Sequence, residues 1–577
     1  MHLRDRAVIG LLSLALVGLV GAVVAPTLSP DEPGPTPASG QSDLRPYVEG
    51  VVGSAQSVGP FSARTVVERE ITALLFRGLV RLGPDAMVGD LADRWSVDPT
   101  GATWTFHLRP GMTWQDGAPL TSADVVFTIQ TLSDPAYTGP GAASWREVSA
   151  AAPDPDTVVL TLATPLGGFL QAATQPIAPE HLLRGIDPAT LPGDPFGQQP
   201  TGSGAFRLAT LDSTHALLVQ YVPNATDESA GSSPTAWLVP TDSLASPTPS
   251  APGAVLYPYL DGIEFRFFSD VGALTTAWGT GVLDGAAGLP AADAIRLASD
   301  GSARVLRYPS NTLFDVTLNL RSTHPEFRNA AVRRALLQAI DRAGIVRDVL
   351  GGLGTRAEGL IPDTSWAFDP EATAPALFDP KAARAALTKA GWTFETARGW
   401  IPKGSKEPLT IELLSPEAAA NPVAFGIAEG VARDWAGIGL SVTHTALPAS
   451  EFFGERLKTG SFDAAVIGTS LGLDPDLYPL LASTQTVTTG SNLSGIQDAT
   501  LDGLLVRARA PGTVPERKAA YSELQKRVAA ETYVLPVAFG DFLVVVRNEL
   551  TGPDPQPLGN PGDRFWDVLT WRLAAGR

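Results

Sequence analysis

Apolar and polar residues alternate with a period of two at Trp104-Thr105-Phe106-His107-Leu108-Arg109. That is the pattern of a strand with one buried and one wet face. Asp98-Pro99-Thr100-Gly101 before it supplies turn residues, so 94–97 and 103–108 read as the two arms of a hairpin. After a second turn signal, Asp116-Gly117, the period changes. Thr121 and Asp124 have the spacing of a capping box. Val125, Val126, Ile129 and Leu132 then line one face of a helix.

The same two periods recur along the chain. Residues 47–53 read as a first strand, and 409–414 and 462–467 as later ones. Residues 331–350 read as one helix, with Val332, Leu336, Ile340 and Val349 directed inward. Residues 515–530 read as another, with Tyr521, Leu524 and Val528 at helical spacing. Asp379-Pro380 opens a third, which Gly391 ends. Strands alternating with helices predict α/β domains with a sheet covered by helices. At 577 residues the chain needs more than one core.

Composition narrows the function. The formal charge is −18, without a basic stripe, so nucleic-acid binding is not expected. There is no cysteine, which excludes disulfides, thiol catalysis and a lipid-modified N-terminal cysteine. Arg4 and Arg6 precede an apolar run over 7–25, about long enough to span a bilayer. No Lys or Arg follows until Arg45, which puts residue 1 in the cytoplasm and the bulk outside. The run reads as an uncleaved anchor in the cytoplasmic membrane. A cleaved signal peptide is the alternative, with Val23 and Ala25 as cleavage positions and Pro26 against it. Residues 26–43 form a Pro-rich linker, and 224–253 a low-complexity surface insertion.

Several strings occur in an order that resembles a known family. They include Leu75-Phe76-Arg77-Gly78-Leu79, Asp90-Leu91-Ala92, Trp114-Gln115-Asp116-Gly117, Leu318-Asn319-Leu320-Arg321 and Tyr533-Val534-Leu535-Pro536-Val537. The order is similar to that of the family 5 extracellular solute-binding proteins. Those are the ligand-capturing subunits of ABC importers for peptides, and sometimes for nickel chelates or oligosaccharides. The resemblance implies a two-lobe, periplasmic-binding-protein-like α/β fold with an interlobe cleft. Lobe I would hold 44–315, lobe II 316–536, and 537–577 would return to lobe I. The chain would cross twice between them and form a two-strand hinge. The implied partners are a peptide or peptide-like solute and the ABC permease and ATPase. The implied state is an extracytoplasmic monomer that works by hinge closure.

The resemblance also suggests cleft residues. Gln56 and Ser57 follow the first strand, and Asn319 and Trp366 lie in the second half. Trp366 reads equally as a stacking surface for a ligand or as core. The segment 462–481 contributes Thr469, Ser470, Leu471 and Asp474. In peptide-binding members an Asp three residues before an Asp-Pro-Asp triplet holds the peptide's α-ammonium. Here that position is Leu471, and a tryptophan common in the loop is replaced by Gly468. Ordinary free-amino dipeptides are therefore not the expected ligand. Asp474 and Asp476 also read as turn caps.

Other motifs carry less. Gly468-Thr469-Ser470-Leu471-Gly472 fits the nucleophile elbow of a hydrolase. That chemistry needs a histidine later in the chain, and the last one, His444, comes before it. Gly352-Leu353-Gly354 mimics a dinucleotide fingerprint but follows a helix rather than a strand. The six histidines have no metal-ligand spacing. No catalytic residue, metal or cofactor is indicated. A surface sensor or chaperone-like protein of the same fold is the main alternative, an extracytoplasmic serine hydrolase the lesser one.

Overall fold

The computed structural model describes residues 45–84, 86–221, 258–373, 376–486 and 490–574. The apolar run 7–25, the linker 26–43 and the insertion 224–253 lie outside the described residues. A sheet of eleven strands organises the rest. In spatial order it runs Ser441–Leu447, Thr410–Pro416, Ala464–Ser470, Ala303–Leu318, Leu535–Arg547, Gly285–Ala287, Tyr47–Val52, Gly262–Phe268, His215–Gln220 and Phe206–Leu211. Gly354–Arg356 pairs separately with Leu535–Arg547. Parallel pairs flank a central antiparallel block, and the end that holds Phe206–Leu211 is antiparallel again. This is the mixed α/β architecture expected from the alternating periods.

The period-two segment forms strand Thr103–Leu108, which pairs with Ala92–Val97. Trp104, Phe106 and Leu108 are buried while Thr105 and His107 are half-buried. These two strands lie in a four-stranded sheet with Thr157–Leu162 and Val148–Asp154. Helix Ser122–Ser133 starts with the anticipated capping box of Thr121 and Asp124. Helix Val514–Glu531 starts with another, Thr513 and Glu516. The single helix expected over 331–350 is instead two, Ala330–Gln338 and Arg342–Asp348. Asp341 causes the break, because its side chain accepts the Gly344 N–H at 2.9 Å and caps the second helix.

Two hydrophobic cores hold most of the molecule. One gathers Tyr47, Ile71, Trp114, Phe206 and Phe265 with Leu558 and Trp571. The other gathers Leu336, Ile345, Ile411, Trp435 and Val466. Strands Ala303–Leu318 and Leu535–Arg547 thread both. Leu306, Tyr308, Val544 and Val546 belong to the first core, and Phe314, Val316, Leu535 and Val537 to the second. Between those stretches the pairing register slips, from Pro309 to Thr312. A proline cannot donate to the ladder, and a bulge bends a strand.

The C-terminal tail is fastened to the first strand by a buried charge cluster. Arg564 Nε donates to Glu70 at 2.7 Å and Arg564 Nη1 to Glu49 at 3.1 Å. Tyr47 donates to the same Glu49 at 2.7 Å. All four side chains are buried, so each charge needs its partner.

Candidate functional site

The bulge between Pro309 and Thr312 is where the second half meets the threading strands. Ser310 donates to the Gly540 carbonyl at 2.8 Å. Asn311 accepts the Leu471 N–H at 2.8 Å through its backbone, and its side chain donates to the Gly472 carbonyl at 3.0 Å. The loop that leaves strand Ala464–Ser470 is thus tied to the slip in register.

The same loop touches the first half of the chain. Gln171 accepts the Asp474 N–H at 3.1 Å. Gly167 donates to the Arg509 carbonyl at 2.9 Å. Gly168 lies under Asp474, where a Cβ would come within 2.6 Å of the carboxyl carbon. Phe169, in the helix that carries Gln171, belongs to the first core.

Asp474 itself is neutralised from its own side. Arg517 donates to both its oxygens, at 2.5 and 2.8 Å, and Tyr521 lies at 3.4 Å. The Arg517 guanidinium sits 4.8 Å over the ring of Trp366, which meets Tyr521 edge-on at 5.4 Å. Asp476 caps the turn by accepting the Tyr478 N–H at 3.0 Å, and pairs with Arg509 at 2.9 Å. Burial pushes the Asp476 carboxyl up, against the pull of Arg509.

The other expected residues are dispersed. Leu471 is buried in a third apolar cluster with Leu313, Leu477 and Tyr521. Asn319 is fully buried and donates to the carbonyls of Gly460 and Phe462 at 2.9 and 2.8 Å. Gln56 and Ser57 sit at the start of helix Val66–Leu75, where the Glu68 carboxylate accepts the Gln56 N–H at 2.9 Å. Ser57 Oγ also lies 2.6 Å from Ser62 Oγ. Ser470 is exposed and ends its strand opposite Thr312. Strand Thr410–Pro416 separates it from the strand of His444, which lies 2.8 Å from Ser415.

Thr469 lines a small pocket, with a cavity volume of about 30 Å³. Leu313, Asp315 and Thr317 form one wall on strand Ala303–Leu318. Ile467 and Thr469 lie opposite Asp315 and Leu313 on the neighbouring strand. Leu480 and Leu481 close another side, and Ser491 and Ser494 complete the rim. Asp315 is 3 % exposed. Burial lifts its carboxyl from 3.8 to about 7, against the hydrogen bond from Thr317 at 2.7 Å. Sequence reasoning missed this acid, together with Gln171 and Asn311. Its signal was an aspartate set between Phe314 and Val316. Among the described residues no group of three or more His, Asp or Glu side chains is placed to hold a metal ion.

Residues 86–491 match the model of the bacterial extracellular solute-binding proteins, family 5 Middle. The chain belongs to this family. As a family 5 protein it is 25% identical to the dipeptide-binding protein of Escherichia coli (strain K12) over 502 residues, covering 83% of this chain and 86% of that one. Solved family 5-like structures agree in fold. The oligopeptide-binding protein AppA from Bacillus subtilis, in complex with a nonapeptide, superposes with a TM-score of 0.71 at 21% identity, covering 92% of this chain and 99% of that one. NikZ from Campylobacter jejuni, in complex with Ni(L-His), gives 0.72 at 22% identity, covering 91% and 99%. At these identities the two structures establish the periplasmic-binding-protein fold alone. The family assignment makes this an extracytoplasmic solute-binding protein. Among the described residues no helix is long and apolar enough to cross a membrane.

Proposed function

We propose that this chain captures a peptide-like solute for an ABC permease and its ATPase, by closing two lobes about a hinge. The hinge is the pair of strands Ala303–Leu318 and Leu535–Arg547. One observation carries the reading: each strand is anchored in both cores, and the pairing slips between them at 309–312. A bulge there lets the cores rotate without breaking either. Lobe I is 44–315, lobe II 316–536, and 537–577 returns to lobe I. The contacts of Gln171 and Gly167 with the 471–476 loop and Arg509 support a cleft that runs beside the bulge. Solute binds better to the closed state and shifts the population towards it, and the permease reads the closed shape. The dipeptide-binding relative favours a peptide-type solute. Thr469, Ser470, Gln56 and Ser57 remain the residues proposed to meet solute directly.

We further propose that 7–25 anchors the protein on the outer face of the cytoplasmic membrane. The length of the apolar run, Pro26 and the absence of cysteine support this. N-terminal sequencing of protein from its host decides it, because a mature start at or beyond residue 26 refutes the anchor.

The test of the main reading combines two measurements. Mass spectrometry of the purified protein identifies any solute retained, and small-angle scattering follows its removal and return. The expected result is a retained peptide-like compound whose return contracts the particle. A peptide that binds without any change in the scattering profile refutes hinge closure.

A further inference from the structure

The pocket beside Thr469 contains a charge without a counter-ion. Asp315 is almost fully buried, and among the described residues its hydrogen bond comes only from Thr317 Oγ1, at 2.7 Å. No arginine, lysine or histidine of the described residues pairs with it. Buried Glu49 and Glu70 share Arg564, and Asp90 has Arg77. Buried Glu68, Asp124 and Asp567 have no cation either, but each accepts from at least two N–H donors, which Asp315 does not. A buried ionised carboxylate without a partner is strongly unfavourable. Here it either stays protonated or waits for a cation. The acid lines a small pocket rather than a fully packed interior, which gives a cation a place to approach it.

The lining selects the form of the cation. Leu313, Leu477, Leu480 and Leu481 supply apolar wall, and Thr317, Thr469, Ser491 and Ser494 bring hydroxyl groups to the lining. Apolar walls suit methylenes, and scattered single acceptors suit an ammonium with three rotatable donors. A guanidinium prefers both oxygens of one carboxylate in a planar fork. Thr317 already occupies Oδ1 of Asp315, which disfavours that geometry.

We infer that this pocket receives an alkylammonium arm of the solute, the end of a lysine-like side chain, with Asp315 as its counter-ion. The inference deepens the solute-binding reading and rests on it. Its consequence is a specificity determinant on a threading strand, four residues from the bulge centred on Asn311. Closing the hinge and filling the pocket are thereby coupled through one strand.

Two probes test it on the full-length protein. The first is n-butylammonium chloride against n-butanol, measured by ligand-observed NMR with wild type and Asp315→Asn. The ammonium binds wild type, butanol does not, and the substitution abolishes the signal. Absence of ammonium binding to wild type, or its persistence in Asp315→Asn, overturns the inference. The second is calorimetry with the tripeptides Ala-Lys-Ala and Ala-norleucine-Ala. The lysine peptide binds wild type about tenfold or more tightly, as expected for one hydrogen-bonded charge pair, and Asp315→Asn removes the difference. Equal affinities in wild type sink the arm and leave solute binding intact. Ammonium binding with no peptide binding sinks the peptide reading and leaves the pocket. The lysine-to-norleucine ratio needs only wild-type protein, so a misfolded variant does not remove the test.

Discussion

Replacing Asp315 by asparagine should stabilise the solute-free protein at neutral and alkaline pH. The side chain is 3 % exposed, and burial lifts its carboxyl from 3.8 to about 7. The folded state thus holds this proton more tightly than the unfolded chain does. Below 3.8 both states are protonated and Asp315 costs nothing through ionisation. As pH rises the unfolded chain releases its proton first, and stability falls until the folded state also ionises. The full penalty is ~4 kcal/mol. Roughly 2–3 kcal/mol of it accrues between about pH 5 and about pH 8. Asparagine has the same shape, keeps an oxygen for Thr317 and does not ionise. Asp563 and Asp567, each lifted to about 6 mainly by burial, add a slope of the same sign to both proteins and cancel in the difference. Urea unfolding of both proteins across this range gives that difference directly. Asp315→Asn gains on wild type as pH rises. A flat difference, within about 0.5 kcal/mol, means the acid already has a partner in solution and refutes the reasoning behind the pocket.

The other expected outcomes concern the loop and the insertion. Asp474→Asn leaves the Arg517 guanidinium, half-covered by Trp366, without its counter-ion and costs roughly 3 kcal/mol in urea unfolding; an Asp474→Asn, Arg517→Met double variant recovers part of that loss, and additive losses would contradict the pairing. Gly168→Ala places a methyl against the Asp474 carboxyl and expands the solute-free particle in small-angle scattering, with little change in melting temperature; an unchanged radius of gyration counts against a cleft at this contact. Deleting 225–252 leaves melting temperature and solute binding nearly unchanged, because long surface loops cost little to shorten; a large drop would identify a structural element in that insertion. N-acetylation of a lysine-bearing peptide leaves its affinity within about threefold by calorimetry, since Leu471 supplies no charge for the amino end; strong preference for the free amine would place a second acid in the cleft.

The legible part of this chain was the part where local chemistry acts alone. Thr121 and Asp124 begin a helix because a capping box needs only its own four residues. Trp104, Phe106 and Leu108 bury one face because a strand has a period of two. The break at Asp341 was missed because Val332, Leu336 and Ile340 keep helical spacing up to it. Only the capping bond to Gly344 distinguishes two helices from one. Candidate site residues were harder for the same reason. Asn319 and Leu471 were expected in the cleft from the resemblance, and their neighbours in space make them a backbone staple and a core residue. Gln171 precedes Asp474 by some three hundred residues, and no period or spacing connects them.

The side chains around the 471 loop are placed by their neighbours. Leu471, where the resemblance implied no acid for a peptide's α-ammonium, is buried among Leu313, Leu477 and Tyr521. A side chain so placed offers solute neither charge nor surface. Asp474 has not taken over that role, because Arg517 holds both its oxygens and Gln171 holds its N–H. Its charge fixes the loop to helix Val514–Glu531, and its N–H ties the loop to Gln171 in the first half of the chain. Asp476 is held by Arg509, whereas Asp315, on the strand opposite Ile467, is buried and among the described residues accepts a side-chain hydrogen bond only from Thr317. A lining of leucines and hydroxyl side chains suits a cation on a methylene stem. Under the proposed hinge, the acid that would meet a solute cation sits on a threading strand rather than in the 471 loop.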